Sequence, residues 1–111
     1  MTPEDLARSD AFQAGLFFLE TGYFWEAHEV LEPVWMALPE GSDQRHLVQA
    51  LIQFANAQLK FVMQRAKAAK RLCEIVRGLL MQIEAPQVMG LDIAVFAARL
   101  DSFEESIGSV L

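Results

Sequence analysis

The chain has 111 residues, a formal net charge of −6 and an apolar content of 53%. Its length predicts a single domain spanning residues 1–111, and its acidity argues against a nucleic-acid partner. The acidic N-terminus has no apolar run behind it, no stretch reaches the roughly 18 apolar residues of a membrane span, and the single cysteine cannot form an intramolecular disulfide. We therefore expect a cytoplasmic protein with neither a membrane nor a nucleic acid as its partner.

The first predicted helix covers residues 12–20. Ser9 and Asp10 precede it, and both residue types cap helix N-termini well. Thr21 and Gly22 follow it, and glycine readily adopts the left-handed conformation that ends a helix. The pattern predicts a short helix that stops sharply before the next one begins.

The second predicted helix begins near Tyr23 or Phe24 and runs to about Leu38, with apolar residues at a 3.6-residue period. Pro33 lies inside it, and proline lacks the N–H that would bond to the carbonyl of residue 29. We therefore expect either a kink near Glu29 or two shorter helices.

The third predicted helix is capped by Ser42 and Asp43 and runs to about Arg65, and the fourth runs from about Ala66 to Glu84. No glycine or proline separates them, so the sequence leaves open whether they are continuous. The apolar face predicted for the fourth helix consists of Leu72, Ile75, Val76, Leu79, Leu80 and Ile83.

Residues 85–90 predict a loop, since proline and glycine lie close together there. Asp92 then caps a last helix. No segment alternates with a period of two residues for long enough to predict a strand. Because the connections are short, neighbouring helices are expected to be antiparallel. The predicted fold is therefore all-α, a compact antiparallel bundle of about five helices.

Two polar stripes border the apolar faces of the second and third helices. The first contains His28 and Glu32, four residues apart, with Trp25 and Glu29 beside them. The second consists of His46, Gln49, Gln53, Asn56 and Lys60, at steps of three and four residues. If the two helices pack antiparallel, the stripes would meet as a polar seam inside the bundle.

Three interpretations of this seam remain open. In the first, His28, Glu32, Gln49 and Gln53 form a hydrogen-bonded network that fixes the helix register. In the second, His28 and Glu32 bind a divalent metal ion together with Glu29, and His46 or Gln53 completes the ligand set. In the third, His28 acts as an acid–base group oriented by Glu32 in a small-molecule pocket. The second histidine of the zincin helix motif is missing, which disfavours metalloprotease chemistry.

The two tryptophans receive different predictions. Trp35 is in phase with the apolar face of the second helix, so we expect it in the core, with its N–H bonded to Glu32 or to a carbonyl. Trp25 is out of phase with that face. We expect it to be exposed and to contact a partner or a second copy of the chain.

The sequence also resembles a known family. The similarity is carried by the run Glu26-Ala27-His28-Glu29-Val30-Leu31-Glu32 with Trp35, by residues 47–55 and by Gly90-Leu91-Asp92. These segments are similar to the signature of the domain of unknown function 309 family. The chain departs from that signature at Gln13, Ala50 and Lys60, and it lacks the family's Gly-Asn turn around residues 65–66. The resemblance implies a compact all-α fold and no assigned function.

The leading functional interpretation is a non-enzymatic module that associates with itself or with another protein, because the apolar content is high for a soluble domain. The acidic first half and the basic residues between Lys60 and Arg77 are able to attract each other within one chain or between two copies. The alternative is a metal- or small-ligand-binding protein centred on His28, Glu29 and Glu32, with hydrolysis as one reaction open to it. No cofactor signature is evident, and a divalent metal ion is the one cofactor these residues suit.

Overall fold

The computed structural model of the protein describes residues 2–111 and confirms the all-α prediction. It contains six helices and one small hairpin, in the order α1 (Pro3–Ala7), α2 (Asp10–Thr21), α3 (Phe24–Ala37), α4 (Asp43–Val62), α5 (Ala66–Met81), β1 (Gln87–Val88), β2 (Leu91–Asp92) and α6 (Ile93–Gly108). The additional helix is α1, a single turn closed by a reciprocal capping box between Thr2 and Asp5. Within these residues, no helix has both the length and the apolar character required to cross a membrane.

The first predicted helix begins and ends where its caps indicate, and the second runs from Phe24 to Ala37, close to its predicted bounds but without a side-chain cap at its start. The Ser9 hydroxyl accepts a hydrogen bond from the Phe12 N–H at 3.2 Å, and Gly22 ends α2 with a φ of 88°. Helix α3 continues unbroken through Pro33, so the prediction of two shorter helices is wrong. Pro33 lies on the exposed side of α3. Water can therefore hydrate the carbonyl that its missing N–H leaves free, and one lost hydrogen bond does not break the helix.

Helices α4 and α5 are separate, which settles the question that the sequence left open. Helix α4 ends at Val62, three residues before the predicted Arg65, and Gln64 has a left-handed φ of 62°. The N–H of Arg65 donates to the Lys60 carbonyl at 2.8 Å, and the N–H of Gln64 donates to Phe61 at 3.0 Å. These two bonds form a Schellman motif with glutamine where glycine is usual, so the turn carries no glycine signal.

The segment after α5 is held to the start of α4 and contains a hairpin where a loop was predicted. Helix α5 ends at Met81, and the Asp43 carboxylate accepts hydrogen bonds from the backbone N–H groups of Glu84 and Ala85 at 3.4 and 3.2 Å. The hairpin turns through residues 89–90, both with positive φ. Strands of two residues show no periodicity, which is why the sequence pattern missed them.

Helix α4 is the central element of the fold. It packs between α3 and α5, while α2 packs on α3 and α6 packs on α5. The ring of Phe54, on the inner side of α4, contacts the rings of Phe96 and Phe103 of α6 at centroid distances of 5.4 and 5.7 Å. The architecture is therefore a layer formed by α3, α4 and α5, with α2 and α6 behind it.

The apolar face predicted for α5 needs one correction. Ile75 is 48% exposed, whereas Val76, Leu79 and Leu80 are buried as predicted. Arg77 donates hydrogen bonds to Asp101 and Glu104 of α6, so its side of α5 faces α6. Ile75 comes two residues earlier, which directs it away from that contact because each residue advances by about 100° around a helix.

Cys73 is fully buried on α5, as predicted for the single cysteine. Burial raises the pKa of its thiol to about 12, and the nearby Glu104 carboxylate adds to the increase. We expect the folded protein to react with a thiol reagent at pH 8 far more slowly than the urea-unfolded chain. The measurement is the rate of labelling under the two conditions, and equal rates would contradict the prediction.

The same pKa shift gives the pH dependence of stability. The fold disfavours the thiolate, so this contribution to stability is fully present below the ordinary thiol pKa of 9.0. It decreases as the pH rises from about 9 towards 12. Cys73→Ala is the control. Because it has no thiol, its free energy of unfolding should fall less than that of wild type between about pH 9 and pH 12.

Candidate functional site

The two predicted polar stripes meet across a pocket between α3 and α4. The pocket has a volume of about 170 Å³, and its lining consists of His28, Glu32 and Trp35 from α3 and Gln49, Ile52, Gln53 and Asn56 from α4. Five of these seven residues belong to the two predicted polar stripes, and the other two are Trp35 and Ile52. They come together because α3 and α4 are neighbours and the polar stripe of α4 borders the side that packs on α3.

His28 lies between two carboxylates of its own helix. Its Nε2 atom is 3.4 Å from Glu32 Oε2, and its Nδ1 atom is 3.8 Å from Glu29 Oε1. The side chain of His28 is 29% exposed, whereas those of Glu29 and Glu32 are about half exposed. A neutral imidazole has one N–H, so it can donate to only one of the two carboxylates at a time.

The α4 side of the pocket makes one short-range contact of its own. Asn56 Nδ2 donates to Gln53 Oε1 at 3.4 Å, within the same helix. Among residues 2–111, no side-chain hydrogen bond joins this stripe to His28, Glu32 or Trp35. The His28–Glu32 contact of the predicted network is therefore present, but its bonds to Gln49 and Gln53 are not, because the two stripes face each other across space that their side chains do not bridge.

Trp35 forms one end of the pocket and is held firmly. The Arg45 guanidinium lies 4.4 Å from the centre of its ring, and Arg45 Nη1 donates to the Leu38 carbonyl at 2.9 Å. The ring packs against the core as predicted. The predicted hydrogen bond is wrong, however, because the Nε1 atom is buried and finds no acceptor. A buried N–H without an acceptor destabilises the fold, because it loses its hydrogen bond to water and forms no other.

The remaining sequence candidates lie outside the pocket. Trp25 is 57% exposed, which confirms that it is a surface residue. His46 is half-buried at the start of α4 and does not line the pocket, and its Nδ1 atom is buried without a hydrogen-bond partner. Sequence reasoning missed Arg45, whose contact with Trp35 depends on how the loop after α3 turns back. No local pattern indicates that contact.

The chain was compared with known proteins and families. The model of the family described as "Domain of unknown function (DUF309)" matches residues 12–72, which is more than half of the 111 residues. The chain belongs to this family. The matched DUF309 segment covers most of α2, all of α3 and α4 and the start of α5, and so includes every residue of the pocket. No curated protein and no solved structure matches the chain.

The donor set for a metal ion in this DUF309 protein is small. His28 and Glu32 are the two candidate ligands that line the pocket, while Glu29 lies on the other side of the imidazole. In the described part of the chain, no three histidine, cysteine, aspartate or glutamate side chains are arranged to hold a metal ion. A metal hypothesis therefore rests on two donors plus the amide oxygens of Gln49 and Gln53, which is fewer strong ligands than zinc sites use.

Proposed function

We propose that the protein binds a small polar molecule in the pocket between α3 and α4. The observation that carries this proposal is a pocket whose polar side chains, from α3 on one side and α4 on the other, make no hydrogen bond across it. The sequence alone favoured self-association. The concave pocket beside His28 is what a ligand-binding protein requires, and it supports the alternative more strongly.

The lining defines the chemistry of the ligand. The Glu32 carboxylate only accepts hydrogen bonds, so it favours a ligand with a donor group. The amides of Gln49 and Gln53 offer both donors and acceptors, and Ile52 supplies an apolar wall. A molecule with hydroxyl or carboxamide groups meets these requirements, because each such group donates and accepts. The pocket volume of about 170 Å³ is below the roughly 300–1,000 Å³ of drug-sized sites, so the ligand is small.

Binding is the role that we assign to the lining. The pocket contains one acid–base pair, His28 and Glu32. The seven lining residues include no serine, threonine, cysteine or lysine that would act as a nucleophile. The proposal therefore assigns to His28 and Glu32 the recognition of a donor group on the ligand.

The two indole N–H groups of the chain provide a direct test. The protein contains two tryptophans, so a ¹⁵N–¹H correlation spectrum has two indole signals, and Trp25→Phe assigns them. The probes are glycerol, acetamide, small amino alcohols and, separately, Zn²⁺ alone. We expect a hydroxyl or carboxamide probe to shift the Trp35 signal in a saturable manner and to leave the Trp25 signal in place.

A matched pair of variants distinguishes pocket binding from a general effect of the probe. Gln53→Leu keeps the size of the side chain and removes its hydrogen bonds, so we expect it to weaken the Trp35 response at least tenfold. Gln87→Leu, on the exposed hairpin, should leave the response unchanged. The proposal is wrong if no organic probe shifts the Trp35 signal at millimolar concentration, or if Zn²⁺ alone shifts it.

A further inference from the structure

The layer of α3, α4 and α5 has an outer face that no other part of the protein covers. The outer face is defined by Trp25, Glu29 and Met36 of α3, Gln53 of α4, and Arg71 and Ile75 of α5. Phe54 of α4 points the opposite way, towards α6. Arg77 of α5 also reaches α6, so Ile75 and Arg71 lie on the flank of α5 turned away from it.

The outer face carries three large apolar side chains that are exposed. Trp25, Met36 and Ile75 are exposed to 57%, 65% and 48%. They surround the polar stripe of α4, whose side chains are half-buried. Protein–protein interfaces usually have an apolar centre and a polar rim, so the charges of this face, more than its apolar side chains, select the partner.

The charges on this face are separated by helix. Helix α3 contributes the exposed carboxylates of Glu29 and Glu32, and the first half of α5 contributes the exposed Lys67 and Arg71. Helix α4 lies between α3 and α5, so the two groups are held apart within one chain. Among the residues described, neither Lys67 nor Arg71 forms an ion pair. The attraction predicted between the acidic first half and the basic residues of α5 therefore leaves Lys67 and Arg71 without an ion pair in the fold.

We infer that the outer face joins two copies of this chain in a symmetric dimer. A two-fold axis parallel to the helices places α3 of each copy over α5 of the other, with α4 over α4. Each copy then contributes both contacts, since a two-fold interface is self-complementary. Glu29 and Trp25 of one copy lie opposite Arg71 of the second copy, where an ion pair and a stacked guanidinium are both favourable.

The size of the face is sufficient for such a dimer. Stable interfaces bury about 800 Å² per partner, which is roughly one eighth of the 6336 Å² of accessible surface on this chain. The three helices are 14, 20 and 16 residues long, and at about 1.5 Å per residue and about 10 Å of width each their shared face measures roughly 700 Å². The mouth of the α3–α4 pocket opens on the same face, but the dimer does not require the pocket to hold a ligand.

The test is sedimentation equilibrium of the full chain with charge-reversed variants. We expect wild-type protein to form a dimer that dissociates more readily as the salt concentration rises, because salt screens the exposed charges. Glu29→Arg and Arg71→Glu should each raise the dissociation constant at least tenfold, and the double variant should restore it to within about threefold of wild type. Glu105→Arg on α6, on the opposite side of the layer, should leave it unchanged.

Each of the other outcomes overturns the inference. A wild-type chain that is monomeric at every concentration tested has no such interface. A dimer that is insensitive to both single reversals uses another surface. Single reversals that weaken the dimer without rescue in the double variant contradict the pairing of α3 with α5. Circular dichroism of each variant checks that the helices are intact, so loss of the dimer is not confused with unfolding.

Discussion

Replacing Phe54 by alanine is expected to lower the free energy of unfolding by about 3–5 kcal/mol, the usual range for a buried phenylalanine. Phe54 is 2% exposed and lies on the central helix. Its ring contacts Phe96 and Phe103 of α6, and the Arg99 guanidinium lies 5.8 Å from its centre. Alanine would remove a main contact between the central helix and α6 and leave a cavity between them, while the contact of Phe61 with Phe103 would remain.

The measurement is urea unfolding of wild type and variant at the same protein concentration, with the far-ultraviolet circular dichroism as the signal. Phe17→Ala is the matched control, because it removes the same side chain at a position that is 61% exposed. We expect that control to change the free energy of unfolding by no more than about 0.5 kcal/mol. A Phe54→Ala protein as stable as the control would mean that α6 is not held through this ring.

The helix ends that follow local chemistry were predictable from the sequence. Ser9, Ser42 and Asp92 each cap a helix through a hydrogen bond to a backbone N–H three residues later, which a short window of sequence reveals. The turn at Gln64 was not predictable, because a glutamine with positive φ carries no local sign. Its left-handed conformation costs roughly 1–2 kcal/mol and is tolerated because the packing of α4 on α5 fixes the turn.

The sequence predicted which residues form the candidate site, but it did not predict which hydrogen bonds they make. Residue spacing is sufficient to put His28 and Glu32 on one face and Gln49 and Gln53 on another, since helix geometry is regular. Whether these side chains bond depends on the distance between α3 and α4, which the packing of the buried residues of the two helices determines. The sequence contains no direct information on that distance, so the expected bonds between the two stripes and the expected partner of Trp35 were both wrong.

Membership of the family assigns no function to the protein, but the match marks the part of the chain that resembles the family. The matched segment, residues 12–72, includes α3 and α4 but neither the hairpin nor α6. The pocket lies wholly inside this segment, whereas Arg71, on the outer face, is at its end. The proposed ligand site therefore lies within the part of the chain that defines the match to the family.

Replacing Gly15 by alanine is expected to destabilise the protein by about 1–3 kcal/mol, the usual cost of adding a methyl group to a packed core. Gly15 lies in the middle of α2 and is buried against Leu31 of α3. A Cβ atom at this position would overlap the Leu31 side chain, with Cγ only 2.5 Å away. Leu31 is fully buried, so it has little room to move. The absence of a side chain at Gly15 is what allows α2 to approach α3.

The control and the rescue both come from the same chain. Gly78→Ala introduces the same methyl group on α5 at a position with open space, so we expect it to stabilise the protein by about 0.5–1 kcal/mol through helix propensity alone. Leu31→Ala combined with Gly15→Ala should cost less than the sum of the two single changes by about 0.5–3 kcal/mol, because the shortened side chain accepts the added methyl group. Thermal and urea unfolding of the four variants test this relationship. Strict additivity would show that the contact between Gly15 and Leu31 does not set the distance between α2 and α3.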